Sequence, residues 1–353
     1  MFVDKNNLEP GMILAADLIV NDGENNDVLL VQGQVLNQFH LKKLSTYNFD
    51  GAFVIGEAFN NLRPEPEIDK ELESKALSEI KTFYNKLEND NGKVTDKSIS
   101  IFSDIVDELI TEILYKKELT NNVMIFRNHD EYTYQHCLSV ANLSISTGIS
   151  LGMKNEALHD LGMAGFLHDI GKIFIPKEIL NKNGKLTESE FGLMKKHPFA
   201  AVSMLNGLLS KEILDGVGAH HEKFDGTGYP YGKKGNDISL YGRILAVCDV
   251  YHALTSNRSY RKPCFPSEAM EYLMGNAERH FDYNILNIFL KSVVAFPVGT
   301  YVKLSNKLNG IVIKNNPENN LRPVIRLLNN DDTAGEEINL FDNRKYMNVT
   351  IIA

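Results

Sequence analysis

The sequence predicts a mainly α-helical protein: a helical bundle in the middle, a small mixed α/β module before it and a small β-rich appendage after it. Three observations predict this. Apolar residues recur at helical spacing before and through the centre, as in Leu72, Ala76, Leu77, Ile80, Phe83, Tyr84 and Leu87. Short apolar runs bounded by Asn, Gln, Gly and Pro fill the two ends. The length, 353 residues, allows a sizeable core and more than one domain.

Residues 1–62 form the mixed module. Leu8-Glu9-Pro10-Gly11-Met12 and Asn21-Asp22-Gly23-Glu24 are turn signals. Val28-Leu29-Leu30-Val31 and Ala52-Phe53-Val54-Ile55 read as strands, with one short helix from Gln38 to Tyr47 between them. Residues 63–120 are a linker and connecting helices, introduced by the polar, proline-containing stretch from Asn60 to Pro66. Asn89-Asp90-Asn91-Gly92 ends the first helix; Ile101, Ile105, Val106, Leu109, Ile110, Ile113 and Leu114 mark the second. These helices are expected to pack on the main domain or on a partner chain. A homodimer or partner protein through them, or through the N-terminal module, is compatible with the pattern and not required by it. Residues 121–295 form the helical domain. Residues 296–353 return to strand signals in Tyr301-Val302-Lys303-Leu304, Ile311-Val312-Ile313 and Val324-Ile325-Arg326-Leu327-Leu328. That tail is expected to pack on the helical domain.

A formal net charge of −9 and a pI near 5.6 argue against duplex nucleic acid or an anionic membrane as partner. An anionic ligand must therefore be drawn in by local cations. Cys137, Cys248 and Cys264 have no metal-type spacing and read as reduced thiols. The start carries no basic region followed by an apolar run, and no stretch approaches the roughly 20 apolar residues of a spanning helix. A cytoplasmic protein is the expectation.

The chemistry concentrates in the helical domain. His168-Asp169-Ile170-Gly171-Lys172 is preceded by His136 and followed by His197, the pair His220-His221 and Asp249. Imidazoles and carboxylates together suit a divalent transition metal, and the set exceeds what one ion needs. A carboxylate can bridge two ions, and helices of a bundle commonly share such a centre.

Three long motifs in this segment resemble the HD-GYP domain, a branch of the HD phosphohydrolases. The first is Leu167-His168-Asp169-Ile170-Gly171-Lys172-Ile173, followed by Ile175-Pro176 and Ile179-Leu180. The second runs from His220-His221-Glu222-Lys223-Phe224-Asp225 to Gly226-Thr227-Gly228-Tyr229-Pro230. The third is Arg243-Ile244-Leu245-Ala246-Val247-Cys248-Asp249-Val250-Tyr251, continuing to Ala253-Leu254-Thr255 and Arg258-Ser259-Tyr260-Arg261. The resemblance implies a helical HD-type bundle as catalytic domain and a bacterial signalling role.

It also implies roles for residues. His136, His168, Asp169 and Asp249 would hold one metal ion. Asp169, as bridge, would hold the second with His197, His220 and His221. The resemblance favours iron or manganese for the two divalent ions. Hydroxide between the ions would attack phosphorus, making Asp169 and Lys172 the catalytic residues. Lys172, three residues beyond Asp169, can reach a phosphate oxygen. A third metal in some relatives uses a glutamate four residues before the first histidine; Tyr132 stands there, so two ions are expected. His252, where the family often has Asp, is expected to be structural.

The implied substrate is a cyclic dinucleotide, chiefly cyclic di-GMP, cut to linear pGpG and, by a second cut, to GMP. Lys172, Tyr229, Gly228, Arg258 and Arg261 are the candidate substrate-binding residues. Arginine recognises phosphate or a guanine edge through two parallel hydrogen bonds. Asp225, with Glu222 as a second candidate, is expected to brace the loop or the N–H of a ligand histidine. The alternatives are another cyclic dinucleotide such as cyclic GMP–AMP, or a low-turnover sensor or interaction module.

Overall fold

The computed structural model describes residues 2–14, 18–21, 26–31, 34–47, 51–55, 68–89, 92–120, 132–182, 184–256, 264–296, 298–329 and 334–352. The chain divides into two units, one built from both ends of the sequence and one from its middle.

In the first unit, strands β1 (Phe2–Asp4), β2 (Ile13–Leu14) and β5 (Gly51–Ile55) form an antiparallel sheet in the order β1-β5-β2. Strands β3 (Leu18–Asn21) and β4 (Asn26–Leu30) pair as a hairpin, and helix α1 spans Gln38–Leu44. Asn37 caps α1 by accepting from the His40 amide at 2.9 Å, which is why the helix begins there. Val3, Leu14, Leu36, Leu44 and Val54 form the core. The C-terminal strands β6 (Tyr301–Lys303), β7 (Asn309–Lys314), β8 (Val324–Leu328) and β9 (Ala334–Asn339) make a four-stranded antiparallel meander.

The sequence reading separated the two ends of the chain. The structure gathers the meander with the N-terminal module in one unit. Tyr301 packs against the N-terminal core, and Lys303 Nζ donates to Asn7 Oδ1 at 2.7 Å. Local periodicity carries no information about pairing across such a separation.

The second unit is helical: α2 (Lys70–Asn89), α3 (Asp96–Thr120), α4 (Tyr132–Ser150), α5 (Asn155–Leu167), α6 (Lys177–Leu180) and α7 (Glu188–Met194). It continues with α8 (His197–Leu205), α9 (Lys211–Ala219), α10 (Leu240–Thr255), α11 (Pro266–Gly275) and α12 (Tyr283–Ser292). The connecting helices belong to this unit. Phe102 of α3 stacks edge-on against Phe83 of α2 at 4.7 Å and lies 5.5 Å from Phe166 of α5. Phe102 and Phe166 are fully buried, and each contributes roughly 1.5–3 kcal/mol by leaving water. No helix among the described residues is long and apolar enough to cross a membrane.

Local signals set the helix ends around the future site. Thr187 and Glu190 close a capping box on α7, and Lys182 Nζ adds an ion pair to Glu190 at 2.6 Å. Ser210 caps α9, Ser239 caps α10 and Asp282 caps α12. The Asp282 carboxylate also takes Arg243 Nη1 at 2.6 Å, which ties the start of α10 to α12.

Candidate metal centre

Five stretches converge in the helical unit. His136 lies in the second turn of α4, His168 and Asp169 follow the end of α5, and His197 opens α8. His220 and His221 follow the end of α9, and Asp249 lies within α10. A 3₁₀ turn over Ile170–Phe174 carries the chain from Asp169 against α8. Gly171 makes that approach feasible: a Cβ there would meet the His197 carbonyl oxygen at 2.0 Å. The glycine of the first motif therefore brings His197 to Asp169.

The two oxygens of Asp169 face different histidines. Oδ2 lies 3.4 Å from His136 Nε2 and 3.3 Å from His168 Nε2. Oδ1 lies 3.4 Å from His197 Nε2 and 3.8 Å from His220 Nε2. Asp249 reaches His136 Nε2 through Oδ1 at 3.2 Å and approaches His221 Nδ1 through Oδ2 at 3.8 Å. Two overlapping groups thus have ligand atoms close enough to share an ion: His136, His168 and Asp169, and Asp169, His197, His220 and His221.

The hydrogen bonding behind the rings orients them. Nδ1 of His168 donates to the Gly165 carbonyl at 2.7 Å, that of His197 to Met194 at 2.8 Å, and that of His220 to Val217 at 2.6 Å. In the neutral rings this leaves the Nε2 lone pairs pointing inward. His197 and His220 bring those two atoms to 3.2 Å of one another. Lone pairs so close repel until a cation lies between them. Asp169 Oδ1 is buried with no hydrogen-bond donor, a second sign of the same demand. This donor set fits a divalent metal.

The electrostatics agree. Burial works against an ionised Asp169, but Lys172 and His168 outweigh it and hold the carboxyl well below its usual range. Asp249 is held low in the same way, burial being overcome chiefly by His136. Burial pushes His221 down to about 3, and it lowers His220 well below 6.5 with help from His221 and His168. Both rings are therefore neutral at pH 7 and free to ligate. His168 moves the other way: burial opposes its charge, yet Asp169 beside it raises its pKa.

Two of the remaining sequence candidates, Lys172 and Tyr229, border this cluster. Lys172 Nζ sits on Asp169 Oδ2 at 2.5 Å, with the lysine side chain 29% exposed at the edge of the site. Tyr229 stacks on the His221 ring at 4.8 Å between centroids, and its amide donates to the His221 carbonyl at 3.1 Å. Burial raises the phenol's pKa, so the hydroxyl stays protonated. Gly228 packs backbone to backbone, since a Cβ there would come within 2.2 Å of the Lys223 nitrogen. Arg258 and Arg261 lie outside the described residues, as does the side chain of Tyr132.

The loop is braced as its sequence suggested, largely through backbone groups. Asp225 Oδ1 accepts from the Thr227 amide at 2.9 Å and hydroxyl at 2.7 Å. Glu222 Oε1 accepts from the Tyr231 amide at 2.7 Å. The Phe224 and Asp225 amides donate to the carbonyls of His280 and Arg279, fastening the loop to the turn before α12. Sequence reasoning missed one contact altogether: His252 Nδ1 lies 2.9 Å from His136 Nδ1, behind the cluster.

Residues 119–285 match a family model described as the HD domain. Over that segment the chain is similar to the HD domain family. The likeness extends to relatives and to solved structures. A cyclic di-GMP phosphodiesterase of Pseudomonas aeruginosa is 39% identical over 227 residues, covering 64% of this chain and 55% of that protein. A 3'3'-cGAMP-specific phosphodiesterase of Vibrio cholerae is 36% identical over 165 residues, 46% of this chain and 38% of that protein. The chain thus spans about half the length of the first and less of the second. Among solved structures, an HDG"Y"P protein of Bdellovibrio bacteriovorus aligns with a TM-score of 0.52 at 15% identity, covering 82% of this chain and 97% of that one. That likeness carries the fold: a mainly helical, HD-type architecture.

Proposed function

We propose that this chain is a metal-dependent phosphodiesterase that opens a cyclic dinucleotide, cyclic di-GMP first among them. One observation carries the reading: Asp169 divides its two oxygens between two histidine sets. That is the geometry of a bridging ligand. His136, His168, Asp169 and Asp249 would hold one divalent ion, and Asp169, His197, His220 and His221 the other. When bound, two such ions supply a nucleophile at neutral pH and offset the charge on the phosphate. Mixed imidazole and carboxylate donors accept several first-row metals; the HD-GYP resemblance favours iron or manganese.

The chain's own residues would do the rest. Lys172 would leave Asp169 Oδ2 for a phosphate oxygen and stabilise the charge that builds during attack. The protonated Tyr229 hydroxyl would donate to the second phosphate or flank a base, its ring held by His221. Arg258 and Arg261 would supply further cations. The similarity to a cGAMP-specific enzyme supports a second reading, hydrolysis of cyclic GMP–AMP by the same centre.

The test is turnover by anaerobically purified protein loaded with iron or manganese, on a panel of cyclic dinucleotides with product identification. Linear pGpG from cyclic di-GMP is the expected product. Tight binding of cyclic di-GMP without turnover would replace the enzyme by a sensor. In the same assay, Tyr229→Phe should raise KM by roughly 2- to 10-fold, the net worth of one hydrogen bond, with both ions retained. Loss of both ions in that variant would mean that the loop supports the centre rather than the substrate.

A further inference from the structure

We propose that His252 is a positioning residue for the metal centre, orienting His136 so that its Nε2 lone pair points at the ion. The inference rests on the metal-dependent reading above. His136 Nε2 faces the cluster, 3.2 Å from His168 Nε2 and 3.2 Å from Asp249 Oδ1. Its other nitrogen faces His252 Nδ1 at 2.9 Å, with ring centroids 5.1 Å apart. Both residues are buried, at 2% and 3% exposure, so water is a poor substitute for the contact. For Nε2 to ligate, the proton of His136 must sit on Nδ1. That N–H then donates to His252 Nδ1, which requires the His252 proton on its own Nε2. One hydrogen bond thus selects the tautomers of two rings.

His136 differs here from its neighbours. His168, His197 and His220 each rest Nδ1 on a backbone carbonyl, a partner no side-chain substitution removes. His136 rests on a side chain. Helix α10 supplies it one turn after Asp249, so the same helix delivers a carboxylate ligand and the brace of the opposing histidine. The brace is a neutral imidazole, so it fixes the ring without adding negative charge behind it, as a carboxylate would.

The test compares wild type, His252→Leu and His252→Asn as full-length metal-free proteins titrated with cobalt(II) against a competing chelator. Readouts are the number of ions, their affinities and the cobalt absorption spectrum, with circular dichroism checking the fold. Wild type should take two ions. His252→Leu should weaken one of them about 10- to 100-fold, the usual cost of losing a partner behind a ligand. The ion on His197, His220 and His221 should bind as before and serve as the internal control. Asparagine carries its Oδ1 where histidine carries Nδ1, so His252→Asn should stay within about 3-fold of wild type by keeping the acceptor. Equal binding by wild type and His252→Leu would overturn the assignment, as would a loss in His252→Asn matching that in His252→Leu. Failure of wild type to bind any cobalt would overturn the metal reading itself.

Discussion

Asp169→Ala is expected to abolish hydrolysis and to reduce the bound metal to well below one ion per chain. Asp169 places one oxygen against each histidine set and is the carboxylate common to both groups of candidate ligands. Its removal leaves inward-facing nitrogens with less negative charge between them, so the second ion is lost with the first. On the proposed reading, loss of the ions would leave bulk water as nucleophile, a far weaker acid than water activated by a metal. The loss should exceed about 10³-fold, larger than the deletion of a single hydrogen-bond donor in an active site. Turnover assays and metal analysis on the same preparation check it. Full activity in Asp169→Ala would remove the bridging role from this residue.

Gly171→Ala should damage the same centre by steric means. The added methyl would sit 2.0 Å from the His197 carbonyl oxygen and 2.7 Å from the Ala201 nitrogen, both backbone atoms. Backbone yields only by displacing the start of α8, and with it His197. The expected destabilisation is about 3 kcal/mol, the upper end of overpacking costs, read from the denaturant midpoint. Metal binding at the proposed ligands His197, His220 and His221 should weaken in parallel. Wild-type stability with wild-type metal content would mean that the turn can relax away from α8.

The motifs were legible because their chemistry is carried by residue identity. His136, His168, Asp169, His197, His220, His221 and Asp249 could be named from one sequence, and they lie together in the fold. Helical periodicity likewise announced α2 and α3, whose apolar stripes point into the unit that bears the cluster. What escaped was non-local. His252 lies one turn from a ligand on its own helix, but its partner is 116 residues away, and spacing along one helix cannot reveal a contact on another. Strand β9 escaped for a different reason. Its sequence, Ala334-Gly335-Glu336-Glu337-Ile338-Asn339, lacks an apolar run because it is the edge of the meander. Its pairing with β8 is supported by an ion pair, Arg326 to Glu337 at 2.6 Å, and by one buried side chain, Ile338.

The partition of the chain has a consequence for biosynthesis. A ribosome releases the N-terminal strands before the helical unit and the meander after it. The helical unit can therefore mature while its host is still half made. Val3, Leu14 and their neighbours must wait for Tyr301 before their cover is complete. Closure over so long an intervening stretch is slow compared with helix packing. An apolar surface exposed for that interval is where nascent chains meet chaperones or one another.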